Sequence, residues 1–190
     1  AESTLRSADS DTIPVQYLLA TALVCAAPGD TLVLAATPEQ AMTSQLSVNS
    51  VVAVIEVLET FPGRIEGRTR GLPNGFPAVA TDETGRPGVV LPPQAAPAKA
   101  KVAPRIVGSG PEIAAEDAPI GNVLTVSWSG SVVKNTWDSG LVVFGSEESP
   151  SADFAFRDQL TGQRVGSQVV ILDPNDGDPV VHVVDIVAVM

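Results

Sequence analysis

The sequence predicts an α+β fold in which a short helix followed by two strands occurs twice. Three observations carry this. The first is an internal repeat: residues 18–34, LLATALVCAAPGDTLVL, align without gaps to residues 155–171, AFRDQLTGQRVGSQVVI, placing Leu23 on Leu160 and Gly29 on Gly166. The second is that both copies continue, after a loop, into a Val/Ile run: Val51–Leu58 and Val180–Val187, with Glu56 and Asp185 at the same place. Runs of this kind predict strands buried in a sheet. The third is the apolar stripe Leu18, Leu19, Ala22, Leu23 and Ala26, which fits a helix.

That stripe also resembles an export signal, and Leu-Val-Cys-Ala suggests a lipid-attachment cysteine. A signal wants a positively charged start, whereas Glu2, Asp9 and Asp11 outnumber Arg6, and Val24 stands where a small residue belongs. The stretch is therefore read as part of the fold, stopped by Pro28-Gly29-Asp30. The strands that follow it are predicted at 31–35 and, in the second copy, at 168–172. Cys25 lies beside the apolar face and is expected to be a buried structural thiol. As the single cysteine it excludes an internal disulfide and a cysteine-based zinc site.

Residues 1–60 form the first, partial domain, residues 61–98 an ordered Pro/Gly-rich linker, and residues 99–190 the second domain. Turn signals in the linker fall at Pro73-Asn74-Gly75 and Asp82–Gly85, with Val79 and Val89-Val90 extended along a domain surface. Pro92–Ala98 is its most flexible expected part. Further strands are predicted at Val102–Val107 and Val123–Ser127, and a helix near Phe154–Thr161.

Composition narrows the function classes. Hydrophobic residues make up 44% but aromatics only 4%, so the core is aliphatic, and 16 Gly and 16 Pro imply abundant turns. A net charge of −11 opposes nucleic acid, which needs clustered Lys and Arg, and anionic membrane surfaces alike. Arg64, Arg68 and Arg70 are the only basic cluster and read as solvated linker. No run spans a bilayer; an anchor, if there is one, lies upstream of this chain or on a partner.

Residues 100–190 resemble the FKBP-type peptidylprolyl isomerases. The resemblance rests on Arg105–Gly110 (the family's "vvGdG"), Val126–Gly130 ("VnYtG"), Trp137-Asp138-Ser139 ("FDS"), Leu160–Ser167 ("LvGqkVGs") and Val180–Ala188 ("lvFvVdIla"). Residues 12–60 resemble the back half of a second such domain. The resemblance implies an FKBP-like antiparallel sheet wrapped on a short helix, with an aromatic-lined prolyl pocket and no metal or cofactor. Prolyl isomerisation faces a barrier of about 18–20 kcal/mol; such a site lowers it by dehydrating and twisting the imide. It further implies that Trp128, Trp137, Phe144, Phe156 and His182 line the pocket and that Asp138 is the polar residue able to polarise a prolyl carbonyl.

The departures are as informative. The flap between the last two strands is reduced to Asp173–Pro179, Ala152-Asp153 replaces a Val-Ile donor pair, Phe156 replaces a Trp, and His182 replaces a Phe. In the first copy Leu19 and Ala53 hold the corresponding positions, and the front strands are not found ahead of its helix: the chain begins mid-domain or those strands come from elsewhere.

Each residue has a plainer alternative. Asp138 also reads as a buried Asp bonding backbone, and the tryptophans as core. His182, the only histidine, excludes a multi-His metal site and reads as a packed groove residue. Asp173, Asn175, Asp176 and Asp178 fit turn chemistry without calcium, and Glu147-Glu148 a solvated loop. The resemblance thus implies an accessory or binding protein of the cell envelope, extracytoplasmic or secreted, with isomerase activity lost or weak. Its partner would be a proline-containing peptide or protein, within a membrane protein complex or outside one. The alternatives are an active isomerase assisting exported proteins, and a structural spacer.

Overall fold

A computed structural model describes residues 19, 21–37, 50–58, 60, 65–149, 151–175 and 178–190. The chain divides into two compact units between Thr60 and Phe61.

In the first unit, residues 19 and 21–23 are helical and lead through a turn into β1 (Thr31–Ala36), which pairs antiparallel with β2 (Val51–Glu56). Leu23 and Val24 are exposed, and so is Cys25, contrary to the buried thiol expected for it. Pro28 follows close behind these helical residues, where a helix cannot continue.

The second unit carries β3 (Arg68–Thr69), β4 (Ala78–Thr81), β5 (Pro87–Val90), β6 (Lys101–Val107), β7 (Pro119–Ser127), β8 (Val132–Asn135), β9 (Val142–Val143), β10 (Gln168–Asp173) and β11 (Val180–Val189). All strands pair antiparallel. The main sheet runs β3-β6-β10-β11-β7-β8, with β9 also on β7, while β4 and β5 form a separate hairpin. β10 and β11 occupy its centre and are buried on both faces, which is why their sequences read as continuous Val/Ile rather than as an apolar–polar alternation.

Alternate side chains feed two cores. On one face Val169, Ile171, Val184 and Ile186 meet Phe144, Phe154, Phe156 and Leu160. On the other, Val170, Leu172, Val181 and Val183 meet Leu72, Phe76, Val79, Val89 and Leu91. Residues 72–91 are therefore the cover of the sheet's second face. Even Gln94, within the stretch expected to be most flexible, accepts a hydrogen bond at its carbonyl from Trp128 Nε1 (2.9 Å) and donates one to Gly75 O (3.2 Å).

The α+β expectation is overturned: among the described residues the second unit is an antiparallel β structure in which the helix predicted near Phe154–Thr161 is one 3-10 turn, Arg157–Leu160. Two interactions prevent a helix. Phe154 and Phe156, two residues apart, both enter the same aromatic core, whereas a helix would send them to opposite sides. Arg157 is also drawn inward: its Nε donates to Gly145 O (2.7 Å), and Nη2 to Ala114 O (2.9 Å) and Asp117 O (2.7 Å). Thr161 then turns extended and ends the segment.

The hairpins of the two units share one geometry. Thr31 faces Glu56 and Val33 faces Val54 in the first; Gln168 faces Asp185 and Val170 faces Val183 in the second. The entry turns repeat as well. Gly29 N donates to Val57 O (2.7 Å) and Gly166 N to Ile186 O (2.8 Å); Val57 N donates to Asp30 O and Ile186 N to Ser167 O, both at 2.9 Å. Gly29 and Gly166 have φ of 91° and 88°, a left-handed conformation that glycine adopts without a Cβ penalty.

Close strand approach is strictest at Gly121, where a Cβ would collide with the Asp185 carbonyl and press on Phe144. Gly121→Ala is expected to destabilise the second unit by about 1–3 kcal/mol, as overpacking does. Gly71→Ala, which meets nothing within 4 Å, is expected to shift the urea midpoint little. Chemical denaturation of both variants checks this.

Candidate functional site

The first face of the sheet gathers three of the residues expected to line a pocket. Phe144, just after β9, and Phe156, just before the 3-10 turn, lie with ring centroids 5.7 Å apart, and Phe156 lies 4.6 Å from His182 of β11. The space between them is occupied. Phe154, which sequence reasoning did not single out, packs edge-on to Phe144 at 5.0 Å and against Phe156 at 5.9 Å. Lys134 Nζ lies 4.5 Å over the Phe154 ring and is ion-paired with Asp153 at 3.4 Å. Phe144, Phe154 and Phe156 are all buried, so these rings form a packed core rather than an open wall.

His182 belongs to that core. Its Nδ1 is 2.9 Å from Thr125 Oγ1, and its Nε2 is 3.9 Å from Asp173 Oδ2. Burial pushes the imidazole from its ordinary 6.5 down to about 4, against the pull of Asp173 and with the push of Lys134, so the ring is neutral at pH 7.

Trp128 and Trp137 are on the opposite face. Side chains alternate along β7, so Thr125 and Ser127 share a face with His182, while Leu124, Val126 and Trp128 point the other way. Trp137, in the turn after β8, packs on that second core too. Asp138 beside it is two-thirds exposed rather than buried. It is gripped by Arg86, with Nη1 3.0 Å from Oδ1 and Nη2 3.3 Å from Oδ2, and accepts from Asn135 Nδ2 at 3.0 Å. Trp137, Asp138 and Arg86 line a shallow concavity of about 380 Å³ with Asn122 and Leu141. The six expected residues are thus divided: Phe144, Phe156 and His182 on one side, Trp128, Trp137 and Asp138 on the other.

A second polar feature was missed by sequence reasoning. Arg105 Nη1 donates to Gln168 Oε1 (2.6 Å), and Gln168 Nε2 donates to Asp185 Oδ1 (2.8 Å). Asn122, opposite Asp185 in register, accepts from Thr136 Oγ1 (3.0 Å). This row crosses β6, β10, β11 and β7 under the Asp82–Arg86 turn, which Asp82 Oδ1 ties by accepting from Thr84 N, Thr84 Oγ1 and Arg86 N. Gln168 and Asp185, with Glu66, Asp82 and Glu83, line a concavity of about 230 Å³. Burial raises the Asp185 carboxyl from 3.8 to about 7, outweighing Gln168 and Arg105, so the group is half-protonated near neutrality. The signal was present: Gln168 and Asp185 are polar residues at directly paired positions of two mostly apolar strands.

Among the described residues no cluster of His, Cys, Asp or Glu is arranged to hold a metal ion; Asp176 of the acidic turn lies outside them. No helix among them is long and apolar enough to cross a membrane. Arg68 and Arg70 of the basic cluster are exposed, and Arg64 lies outside the described residues. No protein-family model matches the sequence, and a search of curated proteins returns no match.

The two buried titrating groups have opposite effects on stability. Asp185 binds a proton more tightly when folded, so its contribution is full below about pH 3.8 and is lost as pH rises towards 7. His182 binds one less tightly when folded, so its contribution is full above 6.5 and is lost as pH falls towards 4. Between about pH 4 and 6.5 the slopes, each about 1.4 kcal/mol per pH unit at most, nearly cancel. Asp185→Asn is expected to leave stability rising with pH across this window, and His182→Gln to leave it falling. Urea unfolding at several pH values measures both.

Proposed function

We propose that this chain is a binding or accessory protein derived from an FKBP-like prolyl isomerase and without a working prolyl site. The observation that carries the reading is the packed aromatic cluster, in which the buried Phe154 ring lies against Phe144 and Phe156, and Phe156 against His182. A proline ring bound there would have to displace a buried phenyl ring, and truncating a packed Phe costs about 3–5 kcal/mol. Asp138 is neutralised by Arg86 and faces water, where it has little leverage on an imide carbonyl. The motifs that carry the family resemblance support this descent: they fall on β6 and its turn, the end of β7, the turn after β8, the entry to β10, and β11. A place in the cell envelope and a proline-containing partner follow from the resemblance and belong to the same proposal.

An active isomerase is the second reading, favoured by Trp137 and Asp138 sharing one concavity. A protease-coupled prolyl-isomerisation assay on the folded chain separates the two. The accessory reading expects the uncatalysed rate, unchanged by Trp137→Ala or Asp138→Ala. Acceleration that both substitutions abolish would establish a working site and overturn it.

A further inference from the structure

The β4–β5 hairpin covers the sheet in two different ways. Among the described strands β4 and β5 pair only with each other, and Val79 and Val89 seat them on the second core. The tip, Asp82–Arg86, instead overhangs the polar row and borders both concavities. Asp82, Glu83 and Gly85 line the one that holds Gln168 and Asp185, while Thr84 and Arg86 line the one that holds Asn122. In strand register Asp185 lies between Gln168 and Asn122, so the two concavities share one continuous polar row. Adjacent strands lie about 4.8 Å apart, which gives these three residues a span of roughly 10 Å. The tip divides that span.

The tip keeps its own shape. Asp82 Oδ1 accepts from Thr84 N, Thr84 Oγ1 and Arg86 N, and Asp82 N donates to Arg86 O (3.0 Å). It reaches the far side of the row through the Arg86–Asp138 pair, whose side chains are both exposed. Exposed pairs of this kind are weak and screened by salt. Underneath, Gln168, Asp185 and Asn122 are all buried. Three polar side chains in line carry a desolvation cost that an apolar row would avoid, and the rest of β10 and β11 is mostly apolar.

We infer that the Asp82–Arg86 tip is a lid, latched by Arg86 on Asp138, over one polar groove formed by Gln168, Asp185 and Asn122. Releasing the latch lifts the tip, joins the two concavities and presents a carboxyl between two carboxamides to solvent. The body of the hairpin stays seated through Val79 and Val89. The Asp185 carboxyl registers the state of the lid. With the tip closed, burial holds it at about 7; the charged groups around it are Arg105 from β6, Glu66 ahead of β3, and Asp82 and Glu83 from the tip. Opening admits water and carries Asp82 and Glu83 away, and both changes favour the ionised carboxylate. The coupling is reciprocal, so ionising Asp185 favours the open tip. The inference is independent of whether the second unit isomerises proline.

The test follows the Asp185 side-chain carboxyl carbon by NMR across a pH titration of the full chain, of Arg86→Ala and of Arg86→Lys. Arg86→Ala removes both bonds to Asp138 but keeps the backbone N–H that Asp82 accepts. Persistent amide protection in β10 and β11 shows that the variants stay folded. The expected result is a midpoint near 7 in the full chain, lower by about one pH unit or more in Arg86→Ala, and intermediate in Arg86→Lys. Loss of a positive charge by itself moves a carboxyl upward, so a fall reports solvation and not the missing guanidinium. A midpoint that Arg86→Ala leaves unchanged or raises would overturn the inference. So would a midpoint near 3.8 in the full chain, because the groove would then already be open.

Discussion

The antiparallel pairing of β10 with β11 is the constraint from which the second unit follows. With both strands central, each of their faces needs its own cover. Residues 144–160 supply one and residues 72–91 the other. The turn that sets up the pairing depends on Gly166 and on the exchange of backbone hydrogen bonds between Ser167, Gly166 and Ile186. The first unit uses the same turn and register around Gly29. Pairing geometry is thus local to the hairpin, whereas burial is contributed by what surrounds it.

Strand alternation also decides which functional groups meet. His182 and Asp185 are three residues apart on β11 and therefore face opposite cores. One is a base held neutral, the other an acid half-protonated near neutrality, and each is bonded to a neutral polar side chain, Thr125 and Gln168. Burial outweighs the nearby charges at both positions. The protein accommodates two titratable groups in its centre by suppressing their charge rather than by pairing it. Arg157 is the exception. Its buried guanidinium is paired instead, donating to loop carbonyls and to Thr161 Oγ1, whose hydroxyl in turn donates to Glu147 Oε1 at 2.6 Å.

Much of the sheet was legible because strands buried on both faces leave continuous Val/Ile runs, and the repeat was legible because register depends on residues close in sequence. The helix was misread for a related reason: apolar spacing around Phe154 and Phe156 does not reveal that both rings enter one core. Trp128 was misplaced because a resemblance aligns letters, while alternation in β7 decides the face, and a single residue separates one core from the other. The Arg105–Gln168–Asp185 row escaped because its members come from three strands that only the sheet order brings together. β7 proved longer than Val123–Ser127: Pro119 serves at the strand's start and Gly121 at a close crossing over Asp185.

The central claim is that one hairpin occurs twice, covered in the second unit and open in the first. Residue-resolved hydrogen exchange on the intact chain tests it most directly. The account predicts that amides of β10 and β11 exchange only with global unfolding, while those of β1 and β2 exchange orders of magnitude faster despite sharing the same register. Equal protection of the two hairpins would contradict it, because β1–β2 would then have to be covered as fully as its counterpart.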